Sequence, residues 1–213
     1  MVIGDDAVSG KGESSAHRAI AAALEARDER AFAVALDGHY GRMLRLAHTL
    51  AADRDAARSA VRRAWLRVLR DRAAPDQMPS LAAWLFWLTI SELSAEPATD
   101  SVPASTAPDE SAAFEPEGSR WEGWWLDDAA PAPWPDGADQ ATERRAAIEE
   151  ELRSLSPLSA ALLVLHDAEA LSGVEIAAVL GMPRETQIAL LHDARTTLRR
   201  AVDSRLAPGT ASE

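Results

Sequence analysis

Polar side chains at helical spacing near the C-terminus are the residues of this sequence best suited to chemistry, and that chemistry is nucleic-acid binding. Arg195 and Arg199 lie one turn apart, so one helix face presents both to backbone phosphates. Arg184 and Gln187 fall in the first turn, where a recognition helix meets base edges. The same arginines equally fit a solvated face with salt bridges to acids such as Asp203, so both interpretations stay open. The predicted DNA-binding set comprises Arg184, Thr186, Gln187, His192, Arg195 and Arg199.

No catalytic or metal-binding constellation accompanies these residues. The five histidines are scattered, and no pair has the spacing of metal ligands on a helix. The sequence has no cysteine, no glycine-rich phosphate loop and no nucleophile-elbow motif. We therefore expect no enzymatic activity, no metal and no cofactor.

The elements that must position the polar helix form a helix-turn-helix pattern over residues 156–206. Residues 158–170 carry apolar side chains at helical spacing. Ser172, with a glutamate three residues later, has the spacing of a capping box, and Gly181 supplies a left-handed stop to the short helix between them. Pro183 stands where the first turn of the next helix begins. Helix, capped short helix, glycine turn and long helix together predict a helix-turn-helix.

Composition predicts an all-α protein of two small helical domains. Alanine, leucine, arginine and glutamate are abundant, whereas glycine accounts for only 11 of 213 residues. The predicted order is a disordered N-terminus over 1–15, a helical domain over 16–94, a linker over 95–140, the helix-turn-helix domain over 141–206 and a tail over 207–213. The first domain ends in LAAWLFWLTISEL, which is apolar on nearly all sides and fits either a core helix or a partner surface.

The linker carries almost all of the acidity. The chain has a net charge of −12, and residues 95–140 contribute −10 of it, with seven of the twelve prolines. Neither flanking segment is strongly basic, which is unusual for a nucleic-acid binder. Four linker tryptophans either dock onto the helical domains or anchor a partner protein. They are Trp121, Trp124, Trp125 and Trp134.

Targeting signals are not visible in the sequence. The N-terminus is polar, without the apolar core of a signal peptide, and no apolar run reaches the length of a membrane span. We therefore expect a cytoplasmic protein without a membrane span.

The order of these parts resembles the extracytoplasmic-function sigma factors of bacterial RNA polymerase. EIAAVLGM (175–182) and LLHDARTTLRR (190–200) are similar to the family's E-I-A-x-x-L-G and L-H-R-A-R-x-x-L-R. LRSLSPLSAALLVLHDAEALS resembles its L-x-x-L-P-x-x-x-R-x-V-x-x-L-x-x-x-E-G-L-S. AHTLAADRDAARSAVRRAWLRVLR resembles the family helix that grips the polymerase clamp, and LAAWLFWLTISEL the helix around W-L-x-x-I-A-x-N. The resemblance covers residues 29–94 and 143–206.

The resemblance implies a transcription-initiation factor that directs RNA polymerase to promoters. Its partners would be core RNA polymerase, promoter DNA and an anti-sigma factor. The residues implied in polymerase binding are Arg58, Arg62, Arg63, Trp65 and Leu66. Trp84, Trp87 and Ser91 would lie at the promoter-melting region, and the helix from Arg184 would contact the upstream promoter element.

The clamp-binding helix departs from the family pattern in its charge. Arg58, Ser59, Arg62 and Arg63 stand where relatives carry acidic and amide residues. This helix therefore presents positive charge where the relatives present mixed or negative charge.

The recognition helix departs in the opposite direction. Ile188, Leu190 and Asp193 stand where relatives carry basic residues. Cations supply most of the affinity for DNA through counterion release, so we expect weakened DNA recognition. An alternative follows, in which the chain is a sigma-like interaction protein that binds an anti-sigma factor or other protein through the linker tryptophans and an exposed Ile188 and Leu190. A third interpretation is a dimeric helix-turn-helix regulator that acts without polymerase.

Overall fold

The computed structural model describes residue 26, residues 28–71, residues 78–94, residue 126 and residues 138–206. Over these residues all regular structure is helical, which confirms the predicted all-α class. A π-helical turn, Val164–Ala168, follows the fifth of the described helices. The helices are α1 (Glu29–Leu50), α2 (Arg54–Asp71), α3 (Leu81–Leu93), α4 (Ala138–Ser154), α5 (Pro157–Leu163), α6 (Gly173–Leu180) and α7 (Arg184–Leu206).

Short polar side chains begin the first three helices. The Asp28 carboxylate accepts hydrogen bonds from the first backbone N–H groups of α1 at 3.0 and 3.1 Å. Asp53 does the same for α2 at 2.7 and 2.9 Å. The Ser80 hydroxyl accepts from the backbone N–H of Ala83 and caps α3. These caps satisfy donors that a helix leaves unpaired at its start.

The predicted capping of α6 is confirmed in detail. Ser172 and Glu175 form a reciprocal capping box, and Gly181 ends the helix with a φ of 66°. A positive φ is accessible to glycine at little steric cost, so this residue fixes the turn before α7. Arg184 begins α7 directly after Pro183.

The chain groups into two compact units. The described part of unit 1 contains α1, α2, α3, the π-helical turn and α6. Its three long helices pack on one another, and α6 packs against α3. The fully buried side chains of this core include Met43, Leu46, Val61, Val68, Leu85, Phe86, Leu88 and Ile176.

Unit 2 contains α4, α5 and α7. Helix α7 packs on both α4 and α5, with Leu162 and Val202 fully buried. Arg205, near the end of α7, forms salt bridges with Glu150 at 2.6 Å and with Glu151 at 2.8 Å. These exposed pairs contribute little individually, so the apolar contacts dominate the stability of the unit.

The packing groups residues 164–183 with the N-terminal helices, whereas the predicted domain bounds place them with residues 141–206. The physical reason lies in what α6 buries. Ile176 and Val179 are its buried apolar residues, and the Ser80 hydroxyl donates to the Glu175 carboxylate. Local sequence patterns specify the bounds of α6 but not the surface on which it packs.

Candidate protein-binding groove and recognition helix

An apolar groove lies between α1 and α2 in unit 1. Helix α1 contributes one aromatic or aliphatic side chain every four residues, and α2 contributes a matching stripe. The groove has a volume of about 340 Å³. We call it the α1–α2 groove, and its lining is Phe32, Leu36, Tyr40, Arg58, Arg62, Trp65, Leu66 and Leu69.

Trp65 is the buried anchor of this groove. Its ring meets Phe32 edge-on, with ring centroids 5.5 Å apart and an interplanar angle of 87°. Such an arrangement sets the positive ring edge against the negative face of the other ring. The indole Nε1 is buried and has no hydrogen-bond acceptor among the described residues. A buried donor without an acceptor costs about 1–3 kcal/mol.

The rim of the groove leaves large apolar side chains in contact with water. Leu66 is 53% exposed and Leu69 is 43% exposed, and Tyr40 is also exposed. Single exposed hydrophobic residues are ordinary, but a contiguous set beside a buried aromatic residue is typical of a protein-binding surface. Val34 lies on α1 outside the groove and is 68% exposed, so it serves as a matched reference.

Two arginines give the groove a positive edge. Arg62 forms no ion pair with any described residue. Arg58 lies 3.7 Å from Asp55, a pair in which both side chains are exposed and which therefore binds weakly. Both guanidinium groups thus remain accessible for an acidic partner.

Four of the five residues predicted to bind polymerase line the groove: Arg58, Arg62, Trp65 and Leu66. The fifth, Arg63, does not line it. Its Nε forms a salt bridge of 2.9 Å with Glu92, and its terminal nitrogen donates to the Glu92 backbone carbonyl at 2.8 Å. Arg63 therefore joins α2 to α3, and a polymerase-binding role for it stays a prediction.

Helix α3 forms part of the core of unit 1. Of the residues predicted at the promoter-melting region, Trp84 is buried, whereas Trp87 and Ser91 are half-buried. The Arg67 guanidinium stacks over the Trp87 ring at 5.4 Å, and the Ser91 hydroxyl donates to the Trp87 carbonyl at 2.8 Å. Of the two interpretations of this helix, the core helix is confirmed.

A buried glutamate paired with two arginines joins the segment after the π-helical turn to α1, and the sequence analysis did not predict it. We call it the carboxylate cluster. The Glu169 side chain is 1% exposed and accepts from Arg42 Nε at 2.6 Å and from Arg45 Nε at 3.1 Å. Arg42 also donates to the Glu169 backbone carbonyl at 3.0 Å. Burial, and the adjacent positive charge of Arg42, lower the pKa of the neighbouring His39. Two arginines three residues apart on α1 were the available signal, but their partner lies more than a hundred residues away.

The residue after Glu169 has an unusual backbone. Ala170 has a φ of 54° and is the one described non-glycine residue with a positive φ. An L-residue with a Cβ atom pays roughly 1–2 kcal/mol in this region. The carboxylate cluster therefore sits beside a strained turn.

The polar residues of the predicted recognition helix are largely buried. Gln187, His192 and Arg195 are buried, and Arg184 and Thr186 are half-buried. Burial, and the positive charge of Arg195, lower the pKa of His192 to about 4. His192 is therefore neutral at pH 7, and its predicted DNA contact stays a prediction.

Arg199 and Leu190 show two further outcomes on the same helix. Arg199 forms a salt bridge of 2.7 Å with Asp203, the contact that the solvated-face interpretation predicts. The expectation that Leu190 is exposed is wrong, because its exposure is 5%. Ile188 is half-buried and Asp193 is exposed. Leu190 faces inward because its position on α7 belongs to the buried stripe that also contains Leu191 and Ala194.

The remaining predicted sites lie outside the described residues. These are the four linker tryptophans, Trp121, Trp124, Trp125 and Trp134, with the predicted N-terminal segment 1–15 and the tail 207–213. Among the residues that the structure describes, no cluster of three or more histidine, aspartate or glutamate side chains has metal-binding geometry. No helix in the described ranges is both long enough and apolar enough to cross a membrane.

Sequence comparison with known proteins identifies no relative. No model of a known protein family matches the chain, and no curated protein matches it.

Proposed function

We propose that this protein is a sigma-type transcription-initiation factor that binds core RNA polymerase through the α1–α2 groove. The observation that carries the proposal is the convergence of Arg58, Arg62, Trp65 and Leu66 on one groove. The other three lie four, seven and eight positions after Arg58, over about two turns of α2, so all four share one helix face. The groove sets the exposed Leu66 beside two accessible arginines, and such a contiguous set is typical of a binding surface. The factor itself performs no catalysis and acts in the cytoplasm, where the polymerase is.

The anatomy of the groove suits a protein partner. Trp65 lies at the floor of the groove, and the partly exposed side chains around it are the ones that a partner would desolvate. Trp65 supplies the anchor, and Leu66 and Leu69 supply apolar area that a partner would remove from water. Complete burial of a leucine contributes about 1.5–3 kcal/mol, and Leu66 is 53% exposed, so removing the rest of its side chain from water corresponds to roughly a fourfold to tenfold change in affinity.

The helix-turn-helix scaffold supports a promoter-binding role in the same proposal. The capping box of α6, the left-handed Gly181 and the long helix α7 are the parts that such a motif needs. In the proposal, α7 contacts the upstream promoter element through its arginines, once Arg195 is accessible. The proposal thus requires a rearrangement that exposes Arg195.

Capture of purified bacterial core RNA polymerase by the immobilised full chain tests the polymerase-binding part. We expect capture at low salt, at least tenfold weaker capture by Leu66→Asp, and unchanged capture by Val34→Asp. The two variants place the same charge on exposed positions of neighbouring helices, but only one of them lies in the groove. If core polymerase is not retained by the wild-type chain at low salt, the proposal is wrong.

A second candidate function is favoured by the burial of Gln187, His192 and Arg195. In this candidate the chain is a sigma-like interaction protein that has lost DNA recognition and binds an anti-sigma factor or another protein. Buried cations make no phosphate contacts, and phosphate contacts supply most of the affinity for DNA. A gel shift of the full chain with promoter and random DNA separates the two candidates. Tight, salt-sensitive DNA binding that Arg195→Ala weakens at all sequences excludes the second candidate. If the chain captures polymerase but does not bind DNA, the second candidate is favoured.

A further inference from the structure

The charge of α2 is the feature from which a partner of the groove can be inferred. This helix carries six arginines and two aspartates, so its net charge is +4. Three of the arginines that lie away from the groove are paired, Arg63 and Arg67 with Glu92, and Arg70 with Asp71. Among the residues that the structure describes, no acidic side chain lines the groove itself.

The two groove arginines differ from these paired ones. Arg58 and Arg62 are one turn apart, so they form one edge along the groove. Only Asp55, at 3.7 Å from Arg58, offers either of them an acidic partner among the described residues. Two accessible guanidinium groups beside an apolar surface match carboxylates beside an apolar stripe, because Arg binds carboxylates in a planar two-point geometry.

The dimensions of the groove match a helix. On α1 the lining extends from Phe32 to Tyr40, roughly 12 Å at about 1.5 Å per residue. On α2 it extends from Arg58 to Leu69, roughly 16 Å by the same rise. About three turns of a partner helix would therefore contact the groove, with apolar residues at three- and four-residue steps.

We propose that the α1–α2 groove binds an acidic amphipathic helix of a partner protein. The apolar stripe of that helix packs on Trp65, Leu66 and Leu69, and its carboxylates pair with Arg58 and Arg62. The inference rests on the proposed function only in taking the groove as a protein-binding site. It goes further in stating the charge and shape of the partner surface.

Two synthetic helical peptides of 15 residues test this inference with the full-length chain. Both carry the same leucine stripe, and they differ only in glutamate or lysine at the positions that flank it. Fluorescence anisotropy gives their affinities for the wild-type chain. We expect the glutamate peptide to bind about tenfold more tightly, because two ion pairs replace two like-charge contacts.

Charge reversal on the protein supplies the matched control. The double variant Arg58→Glu/Arg62→Glu should prefer the lysine peptide, whereas Arg58→Lys/Arg62→Lys should keep the original preference. Leu66→Asp should weaken both peptides, and Val34→Asp should weaken neither. Circular dichroism checks that each variant keeps its helical content, and the lysine variant keeps the test valid if the glutamate variant unfolds.

Three results would overturn the inference. These are equal affinity for the two peptides, a preference that survives charge reversal on the protein, and binding of neither peptide at 1 mM. If neither peptide binds, sedimentation shows whether a second copy of the chain occupies the groove instead, because that self-association would be lost in Leu66→Asp and kept in Val34→Asp. The peptide experiment contains no polymerase, so a chain that passes it but does not retain core polymerase refutes the proposed function alone.

Discussion

The α1–α2 groove and helix α7 differ in how the fold treats the residues that the sequence marks as functional. In the groove, Leu66 is exposed and Arg62 has no ion pair among the described residues. On α7, Gln187 and Arg195 are buried, although both are polar. Exposed apolar and buried polar side chains each have a cost. The groove leaves apolar side chains in contact with water, whereas α7 buries polar side chains within the folded chain.

A variant of Glu169 measures how much the buried contacts of this residue with α1 contribute to stability. Glu169→Gln should lower the free energy of unfolding by about 3 kcal/mol, because it leaves Arg42 and Arg45 facing a neutral side chain. Asp37→Asn on the exposed face of α1 is the matched control and should change stability by less than about 0.5 kcal/mol. Urea denaturation measures both. Equal stabilities would show that the cluster is not a significant contact.

The pH dependence of stability tests whether His192 on α7 is buried, because burial lowers the pKa of this residue. Its pKa falls to about 4 in the folded chain, below the ordinary value of 6.5, so the unfolded chain binds the proton more readily. The stability from the neutral form is present above pH 6.5 and is lost as the pH falls toward 4, by up to about 3 kcal/mol. Denaturation curves between pH 7.5 and 4.5, for wild type and for His192→Gln, give the difference due to this group. A difference that does not change with pH would contradict the burial of His192.

Arg62 lines the groove, whereas its neighbour Arg63 pairs with Glu92 outside it, so variants of the two residues separate groove contacts from structural contacts. Arg62→Ala should weaken polymerase capture severalfold, because it removes an accessible cation from the groove. Arg63→Ala should weaken capture less than Arg62→Ala and should lower stability by about 0.5–1 kcal/mol, because Arg63 already pairs with Glu92 in an exposed salt bridge. Parallel pull-down and thermal-unfolding measurements give both values. Equal losses of capture would mean that the binding surface extends beyond the groove.

Replacement of Ala170 is expected to produce the smallest change in stability. Ala170→Gly should raise stability by about 0.5–1 kcal/mol, since glycine adopts the positive φ of this position without the Cβ penalty. The control is Ala146→Gly on the exposed face of α4, which should lower stability by about 1 kcal/mol. Thermal unfolding distinguishes the opposite signs. A loss of stability in Ala170→Gly would contradict the strained turn.

Features that depend on neighbouring residues could be predicted from the sequence. Ser80 and Ser172 cap helices because their hydroxyls meet backbone groups three residues away, and Gly181 ends α6 through its own φ. The resemblance leads to the prediction that Trp65 and Leu66 bind polymerase, and the structure shows that they share a groove with Arg58 and Arg62.

Features that depend on distant packing could not be predicted. Glu169 finds its arginines across more than a hundred residues, and nothing local in either segment indicates the pair. Leu190 was placed on the wrong side of α7 because several polar positions of this helix are buried, which obscures the apolar periodicity that assigns a face. The packing of α6 on α3 likewise depends on contacts between residues far apart in the sequence, so local patterns do not predict it.

Binding of core RNA polymerase by the α1–α2 groove is the central proposal. The most direct measurement is the affinity of the purified full chain for core polymerase by surface plasmon resonance, for wild type, Leu66→Asp and Val34→Asp. The account predicts binding by wild type and Val34→Asp with equal affinity, and at least tenfold weaker binding by Leu66→Asp. Equal affinity of all three, or no binding by any of them, would contradict it.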